Sequence, residues 1–338
     1  METLQKIYAQ KDLSKTESKE VATKIFNGEL SEAEMGAVLM ALKIKGETAE
    51  ELAGFAETLR EKAVQLPINP SETICNCGTG GDGSDSFNVS TTASFVLASG
   101  GLKVAKAGNR SISSRSGSFD TCEALGIEFL VDPDVLGKMM KKTNLAFIFA
   151  PHVHPSMKYI MPTRKSLKVP TLMNLIGPLT NPVALDYQLM GTYRNDLLVT
   201  TAETIRQLGR KRAIVITGAA GMDEATLFGK NHYALLADDK ITVHDFKASD
   251  YGLKSYTIED IRGGDAEENA QILLSVLRGE ESPYFETVVL NAGLGFFASG
   301  KTQSISEGIN RARELLLSGK AYEKLQEVLK VQKEETYA

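Results

Sequence analysis

The sequence predicts an α/β protein: a mainly parallel sheet flanked by helices, with a smaller all-α domain formed by the amino terminus and a returning central segment. Three observations predict it. The first 66 residues carry helix signals and little else. From Ser71 onward, short apolar runs alternate with helix-like segments. Residues 151–182 then break that alternation with six prolines and no clean strand.

The elements follow in order. Three helix starts are marked by capping boxes, Ser14 with Glu17, Ser31 with Glu34 and Thr48 with Glu51, in which hydroxyl and carboxylate satisfy each other's orphan amides. Gly28 and Gly46 sit where the first two of these helices should stop. Met35, Val38, Leu39 and Leu42 recur at three-four spacing and make an apolar face. Pro67 and Pro70 end the helical run. Strands are expected at 73–77, 102–106, 127–131, 145–150, 188–193, 213–218 and 288–290, with helices at 92–99, 134–142 and 197–208. Residues 265–332 read as largely helical. In the proline-rich stretch, 155–167 and 171–177 read as short helices that return to the amino-terminal unit and line a cleft. The expected division is residues 1–69 plus about 155–182 in a small helical domain, and 70–154 plus 183–338 in a large α/β domain.

Composition narrows the partners. A chain of 338 residues buries a large core. Its net charge of −5 makes nucleic acid a poor partner. No apolar run approaches the roughly 20 residues that span a bilayer, and METLQKIYAQ has no signal-peptide core, so no membrane partner is expected. Cys75, Cys77 and Cys122 give an odd count without C-x-x-C spacing, which fits a reducing cytoplasm. Cys75 and Cys77 alternate along a strand-like run and read as core-facing thiols.

The chemistry concentrates between Cys77 and Ser118. One loop runs Gly78-Thr79-Gly80-Gly81-Asp82-Gly83 and on through Ser86, Asn88, Val89 and Ser90 to Thr91. A second runs from Lys106 through Asn109, Arg110 and Arg115 to Ser118. Glycines let backbone approach an anion, and a following helix N-terminus offers free amides to phosphate oxygens. Gly78, Gly80 and Gly83 also spell G-x-G-x-x-G, but a dinucleotide site needs an acid about 20 residues on to hold a ribose. Residues 102–119 contain no acid at all, so a phosphorylated small molecule is the better ligand. Asp223 and Glu224 follow the expected strand 213–218. They read either as a magnesium site shared with substrate phosphates or as a solvated acidic turn. Arg164 reads either as a bidentate partner for a carboxylate or as an exposed helix arginine. His152 and His154 spell H-x-H without a third ligand, so they read as structural or ligand-contacting residues.

GTGGD with FNVST, then K-x-GNRSISSRSGS-x-D, EALG, FAPHVHPSMKY, NLIGPLTNP and GMDE make the chain resemble the anthranilate phosphoribosyltransferase family. The resemblance implies transfer of a phosphoribosyl group from phosphoribosyl pyrophosphate to the amine of anthranilate, a step of tryptophan biosynthesis. It implies that Gly78, Thr79, Gly80, Gly81, Asp82, Ser86, Asn88, Val89, Ser90 and Thr91 cradle the donor. Lys106, Ala107, Gly108, Asn109, Arg110, Ser111, Ile112, Ser113, Ser114 and Ser118 complete that cradle. Gly78, Asn109 and Arg164 are implied anthranilate contacts, and Lys106, Asn109 and Arg164 the implied catalytic residues. Ser90, Asp223 and Glu224 are the implied ligands of two magnesium ions, in a cytoplasmic homodimer joined through the helical domain. The family usually has histidine where this chain has Ala107, and a small residue where it has Phe119. A pyrimidine nucleoside phosphorylase, a transferase with another aromatic acceptor and a non-catalytic nucleic-acid-binding relative are the alternatives. GPLTNP and GMDE favour the anthranilate family over the phosphorylase, and the retained Asp223-Glu224 pair with the net negative charge speaks against the nucleic-acid-binding relative.

Overall fold

Four helices open the chain: α1 (Glu2–Tyr8), α2 (Lys15–Asn27), α3 (Glu32–Lys45) and α4 (Ala49–Glu61). The computed structural model describes residues 2–69, 71–110 and 115–336. All three expected capping boxes form, and Gly28 and Gly46 cap α2 and α3. Each such cap is worth about 1 kcal/mol, so the sequence sets these helix starts locally.

Alternation begins at β1 (Thr73–Asn76) and continues through α5 (Val89–Ser99), β2 (Lys103–Gly108), α6 (Ser118–Ala124), α7 (Pro133–Thr143) and β3 (Leu145–Phe149). Short helices α8 (Ala150–Val153), α9 (Met161–Leu167) and α10 (Leu172–Leu175) occupy the proline-rich stretch. Next come β4 (Tyr187–Gly191), α11 (Leu198–Gln207), β5 (Arg212–Thr217), β6 (Asn231–Ala237) and β7 (Lys240–Phe246). Helices α12 (Ala266–Leu277), α13 (Pro283–Ala298), α14 (Ile305–Leu317) and α15 (Lys320–Thr336) close the chain. The seven strands form one sheet in the order β3-β2-β1-β4-β5-β6-β7. Pairing is parallel from β3 to β5 and antiparallel from β5 to β7. No described helix is long and apolar enough to cross a membrane.

Two apolar cores matter for the site. One packs α5 and α13 against the sheet, with Phe95, Val96, Val288 and Leu290 fully buried. The other joins residues of α1 to α4 to Ile160, Leu172, Met173 and Ile176 of the proline-rich stretch. That stretch therefore packs on the amino-terminal helices, as its apolar residues require.

Two strand expectations need correction. Residues 288–290 lie inside α13, which is buried on nearly every side and so lacks a helical period. Residues 127–131 are extended, with burial alternating from Ile127 to Val131, yet no strand pairs with them. Gln332 of α15 takes the ladder's place: its Oε1 accepts from the Glu128 amide at 3.1 Å, and its Nε2 donates to the Glu128 carbonyl. The β6–β7 hairpin was not anticipated. Its turn uses Asp238 and Asp239, both at positive φ (50° and 58°), in place of the glycine that usually marks such turns.

Candidate active site

The chain leaves β1 toward β2 and β3, then returns to place β4 on the other side of β1. Ligands of open α/β sheets bind at such a switch point, beyond the carboxyl ends of the strands. Here those ends are Gly78 after β1, Gly191 at the end of β4, and Asp223 and Glu224 after β5. The Thr79 amide donates to the Gly191 carbonyl at 3.0 Å, and the Gly80 amide donates to Asp223 Oδ2 at 2.6 Å. Asp82 Oδ2 accepts from the Asp223 amide at 3.2 Å. Only glycine fits around the acidic segment. A Cβ on Gly78 would stand 2.2 Å from Asp223 Oδ2, and one on Gly191 would stand 1.5 Å from the Asp223 carbonyl oxygen. One on Gly218 would stand 2.1 Å from the Glu224 carbonyl oxygen.

Asp82, Asp223 and Glu224 crowd negative charge into a half-buried place. Burial, then the charge of Asp82, pushes the Asp223 carboxyl up to about 7. Burial and the charges of Asp223 and Asp82 also push Glu224 well above the usual range. Glu224 Oε2, Thr79 Oγ1 and Thr91 Oγ1 are buried without hydrogen-bond partners. Carboxylates held this way and an orphaned carboxylate oxygen fit a divalent cation. Among the described residues no group of three or more Asp, Glu, His or Cys side chains is arranged to hold a metal by itself. The residues thus suit magnesium, which takes one or two carboxylates and completes its shell with substrate phosphates and water.

Two buried asparagines, missed in the sequence, hold this frame. Asn76 Nδ2 donates to the Ser90 carbonyl at 2.8 Å, and its Oδ1 accepts from Ser94 Oγ at 2.9 Å, tying β1 to the start of α5. Asn291 of α13 pins the segment after Glu224: its Oδ1 accepts from the Ala225 amide at 3.0 Å and its Nδ2 donates to the Ala225 carbonyl at 2.9 Å. A lone asparagine in the apolar run VVLNAGLG was the available signal.

The other expected residues are placed unevenly. Ser86 lies in a short bridge to Arg262, and Asn88 caps α5 while its Oδ1 accepts from Thr121. Gly80 and Gly81 are exposed at positive φ, Val89 is buried, and Ser90 is half-buried on the first turn of α5. Lys106 is buried on β2 and, among the described residues, has no ion pair; its Nζ reaches only the Ala107 carbonyl, at 3.4 Å. Ala107 is buried among Cys75, Cys77 and Ile148. A Cβ on Gly108 would stand 2.4 Å from Ser118 Oγ, which donates to the Asn109 carbonyl at 3.1 Å. Asn109 is exposed. Arg110 is already engaged with Asp120 and Glu123, each at 2.9 Å. The expected residues Ser111, Ile112, Ser113 and Ser114 lie outside the described residues.

Arg164 sits on α9, half-buried, and burial holds its guanidinium below the usual arginine range. Among the described residues it has no carboxylate partner and no hydrogen bond to either loop; Met161 Sδ lies 3.9 Å from its Nη1. His154 is buried with Nδ1 unpartnered, and His152 is exposed. Phe119 does not reach the loops' ligand side. It is fully buried against Phe129, Phe149 and Phe147, at ring separations of 5.0, 5.1 and 6.5 Å.

A switch-point glycine loop, a half-buried acidic pair and an appended helical bundle define a phosphate-binding transferase-type α/β protein. The sequence matches the glycosyl transferase family a/b domain over residues 71–322 and that family's helical bundle domain over residues 1–63. It is 56% identical to the anthranilate phosphoribosyltransferase of Listeria innocua over 98% of both chains. Identity to the Streptococcus mutans enzyme of that name is 54%, over 97% of this chain and 98% of the other. Among solved structures, the Thermus thermophilus anthranilate phosphoribosyltransferase superposes with a TM-score of 0.94 at 37% identity, covering 98% of this chain and all of the other. The Saccharomyces cerevisiae enzyme in complex with phosphoribosyl pyrophosphate and magnesium gives a TM-score of 0.88 at 25% identity, over 98% and 97% of the two chains. The chain belongs to the anthranilate phosphoribosyltransferase family.

Proposed function

We propose that the protein transfers the 5-phosphoribosyl group of phosphoribosyl pyrophosphate to the amine of anthranilate, releasing pyrophosphate. The observation that carries the reading is the junction of the first glycine loop with the acidic pair, through the 2.6 Å contact of the Gly80 amide with Asp223. It sets amide donors for a pyrophosphate beside carboxylates for its counter-ion.

In this reading the amides of Gly78 and Gly81, the first turn of α5 and Lys106 receive the charge that grows on the departing pyrophosphate. Thr79 and Thr91 offer the hydroxyls that otherwise lack partners. Asp223, Glu224 and Ser90 would hold two magnesium ions, which when bound neutralise pyrophosphate oxygens as Lewis acids. Arg164 takes the anthranilate carboxylate, and with Asn109 it aims the amine at ribose C1. An aromatic amine is unprotonated near neutral pH, so no strong general base is required. Arg110, engaged by two carboxylates, contributes through its backbone and by fixing the start of α6.

The small domain of residues 1–69 plus about 155–182 would form one wall of the cleft and join two copies. The free thiols fit a cytoplasmic setting. Asp223→Asn combined with Glu224→Gln tests the reading of the acidic pair. The expected result is loss of magnesium dependence along with most activity, roughly 10²-fold or more. Normal magnesium-dependent turnover by that variant would overturn the assignment.

A further inference from the structure

Cys75 and Cys77 stand at the end of β1, immediately before Gly78, and their sulfurs lie 3.3 Å apart. Cys75 is fully buried. Cys77 is 7% exposed and lines the cavity shared with Gly78 and Asp223. The hydrogen bond between the two sulfurs, with the positive charge of Lys106 on the neighbouring strand, favours the thiolate at Cys75, while that bond and burial keep Cys77 protonated. The transfer reaction uses neither sulfur. We propose that Cys75 and Cys77 form a reversible dithiol–disulfide pair whose oxidation disables the adjoining glycine loop.

The consequence for the loop follows from strand geometry. Residues two apart in a strand have Cα atoms about 6.4–6.8 Å apart, the outer edge of the roughly 4.4–6.8 Å that a disulfide spans. Closing the bond therefore shortens β1 around Asn76. That residue carries the bonds to Ser90 and Ser94 that seat α5. The same pull shifts Gly78, which has no free space against Asp223. A bond closed at the limit of its reach is readily reduced, so the change is reversible.

The oxidant is a peroxide. One sulfur of the pair displaces hydroxide from hydrogen peroxide and becomes a sulfenic acid, and the hydroxide leaves as water after taking up a proton. The second sulfur attacks the first and forms the S–S bond, and the sulfenic oxygen departs as a second water. Two thiol hydrogens and two electrons leave the protein, and one peroxide becomes two waters.

The test treats the full-length protein with hydrogen peroxide, alkylates the remaining thiols, and follows both peptide masses and turnover. The expected result is loss of two hydrogens in the peptide bearing Cys75 and Cys77, with activity falling roughly 10²-fold and returning with dithiothreitol. Cys122→Ala should respond like the wild type, and Cys75→Ala and Cys77→Ala should each keep their activity through a brief treatment. The mass change in the wild type is read without any variant, so a variant that fails to fold leaves the test intact. Oxygen added to a single sulfur with no S–S bond, untouched thiols, or a disulfide with turnover unchanged would each overturn the proposal. Absence of turnover in the fully reduced protein would instead count against the transferase reading.

Discussion

At the scale of single residues, function rests on groups the fold leaves without partners. Arg164 is half-buried with no carboxylate to meet it among the described residues, and a charged hydrogen bond to a ligand carboxylate contributes about 1.5–3 kcal/mol. Arg164→Ala should therefore raise KM for anthranilate roughly 10- to 100-fold and leave KM for phosphoribosyl pyrophosphate nearly unchanged. Equal rises for both substrates in steady-state kinetics would remove Arg164 from its role. His154 supplies a pH signal. Burial pushes its imidazole down to about 4 in the folded protein, against about 6.5 in an unfolded chain. The unfolded state thus binds the extra proton first. The stability contributed by the neutral ring is complete above about pH 6.5 and is lost as the pH falls toward 4. Urea midpoints should fall across that window, and His154→Asn should flatten the fall; an unchanged slope in the variant would assign the effect elsewhere.

At the scale of elements, the sequence was legible wherever a local rule decides the outcome. Capping boxes marked the starts of α2, α3 and α4 because the side chains that satisfy those amides lie three residues apart. Residues 127–131 misled because alternation reports a half-buried extended chain and says nothing of a partner. The partner, Gln332, lies about 200 residues away on α15, beyond the reach of any local pattern. Gln332→Ala should remove both bonds to the Glu128 backbone and lower stability by about 1–3 kcal/mol in urea titration. No change in the midpoint would mean that water replaces the glutamine. Val288 and Leu290 misled for the opposite reason, since a helix buried all round carries no period.

At the scale of the whole molecule, the site exists because the strand order reverses between the parallel neighbours β1 and β4, bringing residues 78–82, 191 and 223–224 together. The motifs Gly78–Asp82 and Asp223-Glu224 were legible one by one. Their contact was not, because strand order is a long-range property that neither motif encodes. Asn76 and Asn291 escaped notice for the same reason: each acts by holding two distant segments. Ala107, where the resemblance implies a histidine, is buried beside Cys75 and Cys77. It lies two residues from Asn109, which the proposed function gives to the acceptor, so acceptor transfer is the step most in need of direct observation. The measurement is anthranilate fluorescence on mixing protein, phosphoribosyl pyrophosphate and magnesium, with a chelator control and donor binding followed by calorimetry. The proposed transfer requires a fluorescence loss that needs all three components and stops when the chelator is added. Unchanged fluorescence while the donor still binds would contradict it and assign the phosphoribosyl group to a different acceptor.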